Sequence, residues 1–99
     1  MVILAASVEL YLPGVASLKE KRGILKSLIA RLHKQFGSAV AEVDLQDVWQ
    51  SATLGVAVVS TSAPHAEAVL EHMLGWVERN RPDVEIVSYT SEILHINTG

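Results

Sequence analysis

The sequence predicts an α+β sandwich: one four-stranded antiparallel sheet with two helices on one of its faces. Three observations predict it. Four stretches alternate between apolar and polar or small residues, as half-buried strands do. Two stretches repeat apolar residues at helical spacing. Their order along the 99 residues is strand, helix, strand, strand, helix, strand, the split βαβ arrangement of the ferredoxin-like fold. The right-handed crossover rule then puts the first and third strands in the middle, giving the order 4-1-3-2.

The first strand spans about residues 2–12. Val2, Leu4, Ala6, Val8, Leu10 and Leu12 face one way, and Ile3, Ala5, Ser7, Glu9 and Tyr11 the other. Pro13-Gly14 ends it. Its apolar start, Met1 to Ser7, lacks the basic region of a secretory leader and meets Glu9 early, so it reads as strand. Ser17 is placed as an N-cap with Glu20 completing a capping box. The helix they open runs from about 17 to 35 on Leu18, Leu25, Leu28, Ile29, Leu32 and Phe36, and Gly37 closes it.

Residues 39–46 alternate again, with Ala39, Ala41, Val43 and Leu45 opposite Val40, Glu42, Asp44 and Gln46. Asp47-Val48 reads as the turn to a strand over about 50–60, where Leu54, Val56 and Val58 form the core face. Ser62 caps a second helix reaching about Asn80, with Ala66, Val69, Leu70, Met73, Leu74 and Val77 as its core stripe, and Pro82 prevents continuation. The last strand spans about 84–94, with Val84 and Ile86 inward and Val87 and Tyr89 on the other face. Residues 1–95 make one domain, and 96–99 are expected to be a loose tail.

Composition limits the chemistry. There is no cysteine, which removes disulfides, thiolate metal sites and cysteine nucleophiles and makes a cytoplasmic home the default expectation. No apolar run reaches eighteen residues, so no membrane span is expected. Net charge is −3, but it is unevenly spread. Residues 1–37 hold six basic and two acidic side chains, whereas residues 38–99 hold two basic and nine acidic. Such asymmetry suggests a charged partner, or two halves that pair with each other.

The basic residues gather on the first helix. At about 100° per residue, Lys19, Arg22, Lys26 and His33 fall within an arc of about 60° beside the core stripe; Lys34 lies farther round, and Lys21 and Arg31 elsewhere. This stripe is a phosphate-tracking surface, a solvated face, or a face paired with Glu67, Glu71 and Glu78 of the second helix. The residues offered for nucleic-acid binding are Lys19, Lys21, Arg22 and Lys26.

A second polar cluster comprises Glu42, Asp44, Asp47, Trp49 and Gln50. Glu42 and Asp44, two apart on a strand, are expected to share a face, where they could hold a divalent cation or act as an acid/base pair. Alternatively, Asp47 shapes a turn and Trp49 packs at the sheet edge. The open sheet face is rich in small residues. On its two central strands only Tyr11 could stack on a base, and Glu42, Asp44 and Glu85 on the outer strands are expected to repel phosphate, so association with another sheet or chain suits it better. His65 and His72 share a flank of helix two, with His33 and His95 elsewhere, and no third ligand joins them. The sequence contains no Gly-rich phosphate loop and no nucleophile elbow; no catalytic residue, metal or cofactor is expected.

Two runs resemble the signatures of the bacterial YlxP-like proteins, a domain family of unknown function. The first is Ser17-Leu-Lys-Glu-Lys-Arg22 with Leu25-Lys-Ser27. The second is Ala41-Glu-Val-Asp44, Gln46-Asp47, Trp49-Gln50 and the run Ala52 to Ser60. Gly23 inside the helix is a minor departure. The resemblance covers about residues 1–95 and implies the ferredoxin-like fold and no established activity. Genes of that family often neighbour those of translation initiation and ribosome maturation. What the resemblance implies as partners is therefore ribosomal RNA or the small ribosomal subunit, reached through helix one. A homodimer through the open sheet face is the other expectation.

Overall fold

The computed structural model describes residues 1–97. Its elements follow the predicted order: β1 (Val2–Tyr11), α1 (Leu18–Phe36), β2 (Ala39–Asp44), β3 (Ser51–Ser60), α2 (Ala63–Asn80) and β4 (Glu85–His95). The strands form one sheet in the order β2-β3-β1-β4, with every neighbouring pair antiparallel. This is the ferredoxin-like arrangement expected. Among the described residues no helix is long and apolar enough to cross a membrane.

The alternation in β1 decides which face is buried. Val2, Leu4, Ala6, Val8 and Leu10 are buried against the helices, with Ala52, Leu54, Val56 and Val58 beside them on β3. Leu25, Leu28 and Leu32 from α1 and Ala66, Leu70, Met73 and Val77 from α2 close the core. Burying each valine, leucine or methionine among them contributes roughly 1.5–3 kcal/mol before entropy is counted. Ser17 caps α1, its hydroxyl accepting from the Glu20 amide at 3.1 Å. Glu20 returns the bond to the Ala16 amide at 3.2 Å, one residue before the position a capping box uses. Gly37 takes the left-handed conformation that ends the helix, its amide bonding to the His33 carbonyl. Ser62 caps α2 in the same way, accepting from the His65 amide.

Two bulges alter the facing read from the sequence. In β2 the register moves from Glu42 opposite Leu54 to Asp44 opposite Thr53, so Val43 is the extra residue. Glu42 therefore shares the helix-side face with Leu54, and Asp44 the open face with Thr53. In β4 the register moves from Ile86 opposite Leu10 to Ser88 opposite Glu9, leaving Val87 as the extra residue. Tyr89 consequently pairs with Val8 on the helix side, not on the open face. Pairing also reaches into the expected tail: Ile96 and Met1 exchange backbone hydrogen bonds of 2.9 and 3.0 Å. Residues 98–99 of that tail lie outside the described residues.

Candidate functional site on the first helix

The first turn of α1 carries Lys19, Lys21 and Arg22, and the chain sends them to opposite destinations. Lys19, Arg22 and Lys26 are exposed. The ion pairs among the described residues are Lys21–Glu42 and Arg81–Asp83, so the stripe has no carboxylate partner there. Glu67, Glu71 and Glu78, which could have neutralised it from α2, are exposed and make no such pair. His33 continues the stripe, with Nδ1 3.0 Å from the Ser38 carbonyl.

Lys21 does not belong to that surface. It is fully buried. Its ammonium donates to the carbonyls of Leu45 and Val48, both at 2.6 Å, and lies 2.9 Å from Glu42 Oε2. The angle at the carboxylate falls outside hydrogen-bonding geometry, so that contact is chiefly Coulombic while the two carbonyls take the directed bonds. Two directed bonds and a close counter-charge together offset the cost of taking the ammonium out of water. The helix wheel contains the signal: at about 100° per residue Lys21 falls within about 40° of Leu25, Leu28 and Leu32, in the middle of the core stripe.

The polar cluster is correspondingly rearranged. Glu42 and Asp44 lie on opposite faces because of the Val43 bulge, so they form neither a cation site nor an acid/base pair. Glu42 is committed to Lys21, and Asp44 Oδ1 accepts from the Leu45 amide at 2.8 Å. Leu45 has φ of 62°, a left-handed conformation that costs a branched residue of order 1–3 kcal/mol. Gln50 ties this connection to the one after β1, its Nε2 donating to the Val15 carbonyl at 3.1 Å and its own carbonyl accepting from Leu12. Asp47 is exposed. Trp49 does not pack at the sheet edge; it is 53% exposed. The two sequence clusters are one structural unit, in which a buried lysine of α1 pins the β2–β3 connection next to the basic stripe.

Both runs noted above meet at this lysine: the first supplies it and the second supplies Glu42. The model of a protein family of unknown function, DUF503, matches residues 3–91. The chain belongs to the DUF503 family. It is also 34% identical over 80 residues to the uncharacterized protein YlxP of Bacillus subtilis (strain 168), a match covering 81% of this chain and 86% of that protein. Among solved structures it is similar to a de novo designed protein with a ferredoxin fold, determined by solution NMR. That likeness has a TM-score of 0.60 at 16% identity, over 100% of this chain and 91% of the other, and it speaks to the fold alone.

The open sheet face is apolar around Ile3, apart from Glu92 opposite Ala5, and acidic toward Tyr11. Val59 and Leu94 flank Ile3, and Ala39, Ala41, Ala57 and Ala5 floor a shallow trough beside Val43. Glu9, Glu85 and Glu92 share this face by register. Its acidity comes from these three and Asp44, not from Glu42.

Proposed function

We propose that this protein is a non-enzymatic binding module of the cytoplasm that associates with RNA through Lys19, Arg22 and Lys26. The observation that carries the reading is that these three cations are exposed on a rigid helix and unpaired among the described residues. Cations so placed can each replace a counterion at a phosphate. The neighbouring Lys21 clamp supports the reading indirectly, because it fixes the helix and adjoining loop as one body. The resemblance noted on sequence makes ribosomal RNA and the small ribosomal subunit the first partners to try.

The test is binding of purified small subunits, and of a ribosomal RNA fragment, across a salt series. Charge reversal of Lys19, Arg22 and Lys26 to Glu is expected to remove about two to three units of salt slope with most of the affinity. Unchanged affinity overturns the reading, and binding that ignores salt overturns phosphate contact.

The open sheet face supports a second reading, a homodimer. Val59 and Leu94 are 67% and 59% exposed and stand over a floor of alanines, an apolar surface that a second copy would cover. Light scattering at high concentration tests it; a strict monomer there, unchanged by Val59→Lys, removes it.

A further inference from the structure

A cleft of about 460 Å³ opens between the two helices, beside the basic stripe. Ser27, Ala30, Arg31 and Lys34 line it from α1, and Trp76, Asn80 and Arg81 from the end of α2. Its size is that of a small-ligand site, about 300–1,000 Å³. A second hollow bounded by Arg31, Lys34 and Gln35 adjoins it.

Its chemistry is specific. The Arg31 guanidinium lies over the Trp76 ring, 5.7 Å from the centroid, and the ring is itself packed against the core. A flat cation held on an indole is a platform for another flat ring. Neither Arg31 nor Lys34 has a carboxylate partner among the described residues. Arg81 spends Nε and Nη2 on Asp83 at 3.0 and 2.9 Å, which leaves Nη1 directed toward Ser27 Oγ at 3.5 Å. The last turn of α2 is capped on this side, since Asn80 Nδ2 donates to the Trp76 carbonyl and the Arg81 amide to Val77. The Asn80 side-chain oxygen remains an acceptor.

We propose that this cleft takes one unpaired nucleotide of single-stranded RNA, with its base on the Arg31–Trp76 platform and its phosphate at Lys34 and Arg81. The proposal rests on the RNA reading above and assigns a second, strand-selective site to the same ligand. A duplex can meet the stripe, but its bases stay stacked and cannot enter the cleft.

The experiment measures affinity for a short oligoadenylate and for duplex RNA of the same length, alongside the Trp76 indole N–H resonance, assigned with Trp76→Phe. Arg31→Ala is expected to weaken oligoadenylate about tenfold and duplex less than about twofold. Oligoadenylate and, at higher concentration, adenosine monophosphate are expected to shift the Trp76 resonance; duplex is not. Equal weakening of both RNAs by Arg31→Ala, or a Trp76 resonance that no nucleotide moves, overturns the cleft while leaving the stripe intact. A polyglutamate peptide that shifts Trp76 as strongly as oligoadenylate overturns it in favour of an acidic peptide. Reversal of Lys19, Arg22 and Lys26 without effect on either RNA sinks the stripe instead, and a cleft that still responds to adenosine monophosphate and Arg31→Ala then stands alone.

Discussion

Two connections enter the sheet on either side of Tyr11: the one leading to Ser51 of β3 and the one leading to Glu85 of β4. Each is held by an ion pair, and the pairs are opposites in kind. Arg81 and Asp83 form a two-pronged bridge between near neighbours, with the Asp83 side chain 40% exposed. Lys21 reaches from another element into the β2–β3 connection and is removed from water entirely. The first pair organises a turn that Pro82 already shapes. The second holds a segment with no core of its own, where Leu45 keeps a left-handed backbone and Val48 and Trp49 stay exposed. Burial, and not the number of contacts, sets how much each matters.

The largest expected effect comes from Lys21→Met. It leaves the Glu42 carboxylate and two loop carbonyls without their cation, and breaking a buried pair in this way costs roughly 3–5 kcal/mol. Urea unfolding should show that loss, with a melting temperature lower by more than about 10 °C. Adding Glu42→Leu should return a large part of it, because the uncompensated charge is then gone. A loss under about 1 kcal/mol would mean the clamp is not what holds the connection, and the contrast with Arg81–Asp83 would collapse.

This lysine also marks where the sequence stops being legible. Alternation, caps and breakers place all six elements, each decided within a few residues, and the crossover rule supplies the sheet order. Lys21 was read as one more surface cation, although its angle on the helix places it among Leu25, Leu28 and Leu32. Charge outweighed periodicity in that reading, and nothing local announces that a loop 24 residues away will supply carbonyls. The bulges at Val43 and Val87 were invisible for a related reason. Alternation fixes which residues share a face only while pairing is regular, and one extra residue moved Asp44 to the open face and another moved Tyr89 to the helix side. The exposure of Lys19, Arg22 and Lys26, by contrast, agrees with their position on the wheel.

Smaller effects refine the comparison. Glu42→Gln keeps the shape and removes the charge, leaving the ammonium its two carbonyls, so a loss of about 1–3 kcal/mol is expected, below that of Lys21→Met. An equal loss would show that the Coulombic contact, not the carbonyl bonds, dominates. Behind the clamp, Gly55 makes room for the bulge: a Cβ there would lie 2.8 Å from Val43 Cγ1. Gly55→Ala should cost about 1 kcal/mol, since exposed Val43 can turn aside only partly. Val43→Ala in the same chain should remove that cost. If it does not, the glycine serves something other than the bulge.

The smallest effect belongs to Asp83→Asn. The Arg81 guanidinium holds the Asp83 carboxyl below the ordinary carboxylate range, chiefly by their hydrogen bonds, with burial opposing. A carboxylate lowered on folding adds stability above its unfolded pKa, about 3.9, and loses it as pH falls through the native value. The Asp83 carboxylate is substantially exposed to water, so at neutral pH the substitution should cost only a few tenths of a kcal/mol. That difference should hold from neutral pH down to about pH 5 and fade below the ordinary carboxylate value. It should also shrink in about 1 M salt, where screening acts over about 3 Å. The Lys21→Met loss should persist in the same salt, because no solvent ion reaches the buried ammonium. Equal salt sensitivity of the two variants would show that water reaches Lys21, and the β2–β3 connection would then be no more fixed than its neighbour.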